Sequence, residues 1–162
     1  MGLIEALAVV IGIMGGIATG AALQINSAYF VIWVTFVAWA SFYAAGGGNE
    51  GIAKSTAANV WGAVIAWGSL TIFSKLAGGG MNIPLAGALC VGIAIIVLIM
   101  GAKVPALGFI PGQVFGYAPT AGLFVAAGYT GGKLLIAAIV SLIIGNVLGI
   151  ISEKAAGAVA KS

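Results

Sequence analysis

Long runs of apolar residues, separated by short groups of glycine, proline and charged residues, divide the chain into six segments. Continuous runs of this length are typical of membrane-spanning helices, which satisfy their own backbone hydrogen bonds within lipid. They lack the apolar–polar alternation of the strands in a membrane β-barrel. The pattern therefore predicts an all-α membrane protein with six transmembrane helices. The segments cover about residues 3–23, 28–45, 55–73, 83–101, 107–127 and 134–151.

Composition points to a single membrane domain. Only nine of the 162 residues are charged, six Lys and three Glu, and 62% are hydrophobic, whereas about a quarter of the residues in a soluble domain are charged. Six helices of about 20 residues use most of the chain, so residues 1–162 are expected to form one polytopic domain with a short tail at 155–162. No basic segment precedes the first apolar run, which favours a retained first helix over a signal peptide.

The residue types that are missing exclude several kinds of chemistry. The chain has no His and a single Cys, Cys90, so neither a Cys/His zinc site nor a Ser-His-Asp triad can form within it. Cys90 lies in an apolar run and is interpreted as a small hydrophobic residue. The lysines are spread singly and there is no Arg, which argues against nucleic-acid binding. We therefore expect no enzymatic activity, no metal and no cofactor.

The positions of the charges predict an uncharged interior and an orientation. Every charged residue falls near the end of a predicted helix, in a loop or in the tail. Proton-coupled carriers usually have an ionisable residue within the membrane, so this placement argues against a proton-coupled pump and against a charged substrate. The lysine bias predicts that both termini are cytoplasmic. The cytoplasmic side would then hold Lys54, Lys103, Lys154 and Lys161, and the other side Lys75 and Lys133.

Similarity between the two halves of the chain predicts an inverted repeat. The segments FYAAG at 42–46 and FVAAG at 124–128 close the second and fifth runs at an offset of 82. The ladders Ala58/Gly62/Ala66 and Ser141/Gly145/Gly149 follow at an offset of 83, and the first and fourth runs share five positions at an offset of 80, including Met1 and Met81. Convergent helix-packing composition is the alternative explanation. Halves at about 1–77 and 78–154, with three helices each, would have opposite orientations, as in many transporters and channels.

Small and polar residues within the predicted helices supply the site candidates. Ladders of small residues favour either a narrow path lined by backbone or close helix packing. In the fifth run, Pro111, Gly112 and Pro119 predict a helix break, and such a break can line a path or simply pack against neighbouring helices. Polar side chains in the runs can likewise bind a solute or bond across helices. The pore-lining or solute-binding candidates are Gln113, Tyr117, Thr120, Asn59, Asn146 and Ser141, and the helix-packing candidates are Gly12, Gly16, Gly20, Gly62, Gly145 and Gly149.

Motifs in the last third of the chain resemble those of a known family. They are FIPG at 109–112, Gly116, Gly132-Lys133, and the run SLIIGNVLG at 141–149. This combination resembles the small bacterial inner-membrane proteins typified by YcdZ, a family of unknown function. The resemblance implies a multi-helix fold in the bacterial inner (cytoplasmic) membrane, but it implies no substrate and no catalytic residues.

Two functions remain open at this point. The predicted repeat, the broken fifth helix and the uncharged interior favour a channel or facilitator for a small neutral solute. The alternative is a non-transporting scaffold or accessory subunit that binds a partner membrane protein. Six short helices bury little surface alone and the second is rich in aromatic residues, so a homo-oligomer is expected, with a trimer favoured by analogy with other small channel folds.

Overall fold

Six α-helices and two short 3-10 turns make up the part of the chain that the computed structural model describes, residues 2–160. The helices are α1 (Leu3–Ile25), α2 (Ile32–Ala44), α3 (Gly48–Gly78), α4 (Ile83–Met100), α5 (Ile110–Ala127) and α6 (Gly131–Ala160). The 3-10 turns, Gly101–Lys103 and Pro105–Leu107, connect α4 to α5. The all-helical fold predicted from the apolar runs is confirmed for these residues. Met1 and Lys161, which enter the repeat and orientation predictions, lie outside the described residues.

Helices α3 and α6 are much longer than their apolar runs. Gly46 and Gly47 have φ angles of 96° and 69°, a left-handed conformation that glycine adopts without steric cost, and they keep the turn after α2 short. Residues 48–54, expected to form a loop, are therefore the first turns of α3, where Glu50 pairs with Lys54 at 3.2 Å. Most of the expected loop at 75–81 is helical as well. In the same way, α6 continues to Ala160 through most of the predicted tail.

Helix α5 is continuous, which corrects the predicted break at Pro111, Gly112 and Pro119. Pro111 lies in the first turn of α5, where proline loses no intrahelical hydrogen bond and its fixed φ suits the helix. Gly112 follows in the same turn, and α5 runs past Pro119 to its end. The irregular backbone lies before α5, in the 3-10 turns and the residues up to Phe109. Pro111 and Gly112 therefore mark where this helix begins.

Helices α2, α3, α5 and α6 form the centre of the fold, and α1 and α4 lie at its periphery. The most extensive contacts join α3 to α5 and α2 to α6, and α3 also packs on α6. Helix α1 packs mainly on α6, and α4 mainly on α3. The central helices bury small and polar residues, whereas α1 and α4 leave large apolar side chains exposed, such as Ile4 at 80% and Ile96 at 66%. An apolar surface of this kind is suited to lipid rather than to water.

Glycines let the backbones of the central helices touch where they cross. A Cβ built on Gly62 of α3 would overlap the Gln113 carbonyl oxygen of α5, and one built on Gly116 of α5 would overlap the Asn59 carbonyl oxygen of α3. Only glycine fits such a crossing, because any side chain would push the two backbones apart.

The crossing of α2 and α6 is built in the same way. A Cβ on Gly145 of α6 would overlap the Thr35 carbonyl oxygen of α2, and one on Gly149 would lie 2.6 Å from ring atoms of Phe42. The structure thus brings three of the predicted packing glycines, Gly62, Gly145 and Gly149, to these two crossings.

The glycine ladder of α1 has no such role within the chain, which corrects the prediction for Gly12, Gly16 and Gly20. A Cβ on any of these three glycines would meet nothing within 4 Å, and all three are exposed. Helix α1 instead turns Gly15 and Ala18 towards the fold. Spacing by four defines a helix face, but here the face that contacts other helices is the neighbouring one.

Four stretches are long and apolar enough to cross a membrane: Leu3–Ile25, Gly48–Gly78, Ile83–Lys103 and Gly131–Ala160. Helix α2 is a shorter apolar helix of 13 residues. None of the Lys and Glu side chains between residues 2 and 160 is buried. These features are compatible with a multi-pass membrane protein.

Candidate functional site: a buried amide cluster

Side chains from three central helices form a buried hydrogen-bonded group, the amide cluster, which consists of Ser41, Ser55, Asn59 and Asn146. Asn59 Nδ2 donates to Ser41 Oγ of α2 at 3.0 Å and to the Gly112 carbonyl oxygen of α5 at 2.8 Å. Asn59 Oδ1 accepts hydrogen bonds from Ser55 Oγ at 3.2 Å and from Asn146 Nδ2 of α6 at 2.9 Å. The cluster therefore ties all four central helices together at one point.

Helical spacing explains why these side chains meet. Ser55, Asn59 and Gly62 are three or four residues apart, so they share one face of α3. Gly62 brings α5 into backbone contact with that face, which puts a carbonyl oxygen within reach of Asn59. Asn146 follows Gly145, the glycine at which α6 crosses α2. Each amide thus lies beside a glycine crossing, where a short side chain reaches the next helix.

Two buried amide oxygens accept no hydrogen bond from any described residue, namely Asn146 Oδ1 and Gln113 Oε1. The Nδ2 group of Asn146 donates to Asn59 Oδ1 and to the Leu142 carbonyl oxygen at 3.0 Å. The Nε2 group of Gln113 donates to the Leu107 carbonyl oxygen at 2.7 Å. A buried acceptor without a donor costs about 1–3 kcal/mol. The centre of the fold therefore holds free acceptor capacity at two positions.

The other polar candidates are buried but bond outside the cluster. Tyr117 Oη lies 3.2 Å from Ser69 Oγ of α3. Thr120 Oγ1 donates to the Gly116 carbonyl oxygen of its own helix at 2.8 Å. Ser141 Oγ accepts from the backbone N–H of Val31 at 2.9 Å, where α2 begins. Of the six predicted polar residues, the structure brings Asn59 and Asn146 together, puts Gln113 next to a carbonyl that the cluster binds, and keeps the remaining three apart.

Sequence reasoning did not select Ser41 and Ser55, which complete the cluster. The signal for Ser55 is its spacing of four from Asn59 on one helix, and it becomes visible once α3 is known to begin well before Ser55. Ser41 carries no such local signal, because its partners Ser55 and Asn59 lie 14 and 18 residues away on another helix.

A second polar group connects α6 with α2 and with the start of α3. Ser152 Oγ accepts from Trp39 Nε1 at 3.0 Å and lies 2.8 Å from Tyr43 Oη. The next residue, Glu153, accepts from the backbone N–H of Gly48 at 2.8 Å. A carboxylate is favourable there because a helix N-terminus carries partial positive charge. These contacts fix α6 against α2 and against the start of α3.

Two cavities between helices lie away from the amide cluster. One, of about 480 Å³, lies between α3 and α4 and has an almost entirely apolar wall that includes Trp67 and Cys90. The other, of about 220 Å³, lies beside the start of α6, with Lys75 and Thr130 in its wall. Neither is lined by Gln113 or by a residue of the cluster. Between residues 2 and 160, no group of three His, Cys, Asp or Glu side chains is arranged to hold a metal ion.

Comparison with known proteins identifies a family for almost the whole chain. A family model described as a protein of unknown function, DUF1097, matches residues 8–157. No curated protein and no solved structure matches the chain. The match confirms the expectation of a family of unknown function, while the link to YcdZ and the inner-membrane location stay predictions. The chain belongs to the DUF1097 family of proteins of unknown function.

Proposed function

We propose that this protein is a channel or facilitator through which a small neutral solute crosses the membrane between helices α2, α3, α5 and α6. The observation that carries the proposal is the amide cluster, in which uncharged side chains meet where the four central helices converge. Amides can bind a neutral solute without the large cost of burying a charge. None of the described Lys or Glu side chains is buried beside them to neutralise an ion.

Buried polar side chains continue from the amide cluster along two of the helices. On α3 they extend from Ser55 through Asn59 to Ser69, a separation of about 21 Å at 1.5 Å per residue. On α6 they extend from Ser141 to Ser152, a separation of about 16 Å. The hydrocarbon core of a bilayer is about 30 Å thick. A solute moving between these helices would find polar partners over much of that thickness.

Corresponding contacts in the two halves support the three-plus-three inverted repeat. The sequence offsets pair α1 with α4, α2 with α5 and α3 with α6. Under that pairing the α3–α5 contact corresponds to the α6–α2 contact, and the α4–α3 contact to the α1–α6 contact. Gly62 corresponds to Gly145, and both are crossing glycines. In transporters built this way the solute path follows the interface of the repeats, and Asn59 of one half bonds Asn146 of the other.

In this proposal all six helices span the bacterial inner membrane, with both termini in the cytoplasm. The four long apolar stretches would cross the membrane together with α2 and α5, which pack on α6 and α3. The cytoplasmic side would hold the exposed Lys54, Lys103 and Lys154, and the other side the exposed Lys75 and Lys133. Association into a homo-oligomer, with a trimer favoured, would cover part of the apolar surface of α1 and α4.

The packed arrangement is the closed form of the proposed path. Backbone contacts at Gly62, Gly116 and Gly145 bring the central helices together, and the free oxygens of Asn146 and Gln113 are enclosed by protein. Passage of a solute requires the helices at these crossings to move apart. The amide cluster would then exchange its hydrogen bonds between helices for hydrogen bonds to the solute.

Stopped-flow light scattering on reconstituted vesicles tests this proposal. Vesicles with and without the purified protein are mixed with gradients of urea, acetamide or glycerol, and the rates of solute entry are compared. We expect at least one of these solutes to enter faster when the protein is present. A panel in which no solute enters faster than it does into protein-free vesicles of the same lipid would reject the proposal.

Two variants separate a specific path from leakage. Asn146→Leu removes a cluster amide and should abolish the increase in solute entry. Gly16→Ala adds a methyl group at an exposed position where it meets nothing within 4 Å, so it should leave solute entry unchanged. An equal loss in both variants would indicate that the flux does not depend on the cluster.

A scaffold or accessory subunit that binds a partner membrane protein is the second candidate. The observation that favours it is the direct backbone contact of the central helices at Gly62, Gly116 and Gly145, which is typical of permanent helix packing. This function predicts no solute flux and the co-purification of a partner membrane protein after mild detergent extraction of native membranes. The flux measurement and the co-purification together distinguish the two functions.

A further inference from the structure

The hydrogen-bonding capacity at the amide cluster is unbalanced. Asn59 uses both hydrogens of Nδ2, on Ser41 and on the Gly112 carbonyl oxygen. Asn146 uses both hydrogens of its Nδ2, on Asn59 and on the Leu142 carbonyl oxygen. The two asparagine amides thus have no donor left for a ligand.

The capacity that remains consists of two acceptor oxygens and the second hydrogen of Gln113 Nε2, whose other hydrogen is donated to the Leu107 carbonyl oxygen. Asn146 Oδ1 and Gln113 Oε1 accept nothing from residues 2–160, and an amide oxygen has two lone pairs for hydrogen bonds. The two positions are linked through Asn59, which bonds Asn146 directly and bonds the carbonyl of Gly112, the residue before Gln113. Both side chains are buried, at 0% and 1% exposure for Gln113 and Asn146.

Packing alone does not account for these two oxygens. An unpartnered buried acceptor destabilises the fold, and lipid supplies no compensating water. The hydrogen bonds that Asn146 and Gln113 do make all run from their nitrogen atoms, to the carbonyl oxygens of Leu142 and Leu107 and, from Asn146, also to Asn59 Oδ1. Those bonds hold each side chain in place and leave its oxygen unused.

We infer that the solute is a hydrogen-bond donor, a small neutral molecule with N–H or O–H groups such as urea or a small amide, which donates to Asn146 Oδ1 and Gln113 Oε1. This inference rests on the proposed function and narrows its substrate class. A solute that can only accept hydrogen bonds gains nothing from these oxygens and meets their lone pairs instead. A site built to bond a donor rejects an analogue that lacks it, because the buried group then stays unpaired.

The comparison of acetamide with dimethyl sulfoxide tests this selectivity on the wild-type protein. Both are small neutral solutes with an oxygen acceptor, but only acetamide has N–H donors. The protein-dependent rate is the rate of entry into vesicles with protein minus the rate into protein-free vesicles. We expect that rate to be at least about tenfold higher for acetamide, since a tenfold ratio corresponds to about one hydrogen bond. A protein-dependent rate for dimethyl sulfoxide equal to or above that of acetamide would overturn the inference.

The same measurements distinguish failure of the proposed function from failure of the donor selectivity. If urea, acetamide, glycerol and dimethyl sulfoxide all enter no faster than into protein-free vesicles, the proposed function fails and the inference fails with it. If all four are accelerated to the same extent, the proposed function stands and the donor selectivity is wrong. The wild-type comparison needs no substitution, so it decides the inference even where a variant does not fold.

Gln113→Met adds a test of one oxygen. It removes Oε1 and keeps a side chain of similar length, so the ratio of the acetamide rate to the dimethyl sulfoxide rate should fall at least threefold. Circular dichroism and gel filtration in detergent establish that the variant is folded before it is reconstituted. A folded Gln113→Met with the wild-type ratio would remove Gln113 from the recognition site.

Discussion

Replacing Asn59 with Leu removes the hydrogen bonds at the centre of the amide cluster and keeps a side chain of similar size. Asn59 makes four of them, with Ser41, Ser55, Asn146 and the Gly112 carbonyl oxygen. Three of these bonds join α3 to another helix. Such bonds between membrane helices contribute about 0.6 kcal/mol each on average, so the three contribute about 1.8 kcal/mol. The partners left buried with one bond fewer add to that loss. We expect Asn59→Leu to lower the free energy of unfolding by about 2–4 kcal/mol.

Reversible unfolding in mixed micelles, followed by circular dichroism as the SDS fraction rises, measures this change. Asn49→Leu is the matched control, because Asn49 is exposed in the first turn of α3 and surface substitutions usually change stability by less than about 0.5 kcal/mol. In the double variant Asn59→Leu/Asn146→Leu, the loss of stability should be smaller than the sum of the losses in the two single variants, because the two residues share a hydrogen bond. A loss of stability in Asn59→Leu no larger than in Asn49→Leu would refute the idea that the cluster holds the central helices together.

Three further predictions concern packing, electrostatics and accessibility. Gly116→Ala should lower the free energy of unfolding by more than about 3 kcal/mol or prevent folding, because the new Cβ overlaps the Asn59 carbonyl oxygen. Gly16→Ala is its control in the same assay. Equal stability of the two variants would contradict the backbone contact between α3 and α5 at Gly116. Glu153→Gln should cost about 0.5–1 kcal/mol, because the carboxylate lies at the N-terminus of α3; a cost that is the same at low and at 1 M salt would argue against an interaction with the helix dipole. Cys90 is 8% exposed in an apolar cavity wall, so a charged thiol reagent should label it much more slowly in vesicles than after unfolding in SDS, and equal rates would contradict its burial.

The six apolar segments correspond to the six helices because the length of an apolar run is a local property of the sequence. The ends of α3 and α6 were not predictable in the same way. Their outer turns contain glycine and charged residues, such as Gly48, Glu50 and Lys54, which resemble a loop by composition. In the structure these residues extend an existing helix, which needs only one more hydrogen bond per residue and no new nucleation.

The candidate site was likewise predictable only in part. Buried polar residues such as Asn59 and Asn146 stand out in an apolar run, so the sequence can single them out. Their contact cannot be predicted from spacing, because it joins residues 87 positions apart on two helices. Gly12, Gly16 and Gly20 have no packing partner within the chain for a related reason, since spacing defines a face of α1 but not the direction in which that face points.

Solute entry into vesicles containing the wild-type protein, compared with vesicles containing Asn146→Leu and with protein-free vesicles, tests the proposed path through the amide cluster most directly. We predict that acetamide or urea enters wild-type vesicles faster than protein-free vesicles, and that Asn146→Leu returns the rate to the protein-free value. Equal rates in wild-type and protein-free vesicles, or equal rates in wild-type and Asn146→Leu vesicles, would contradict it.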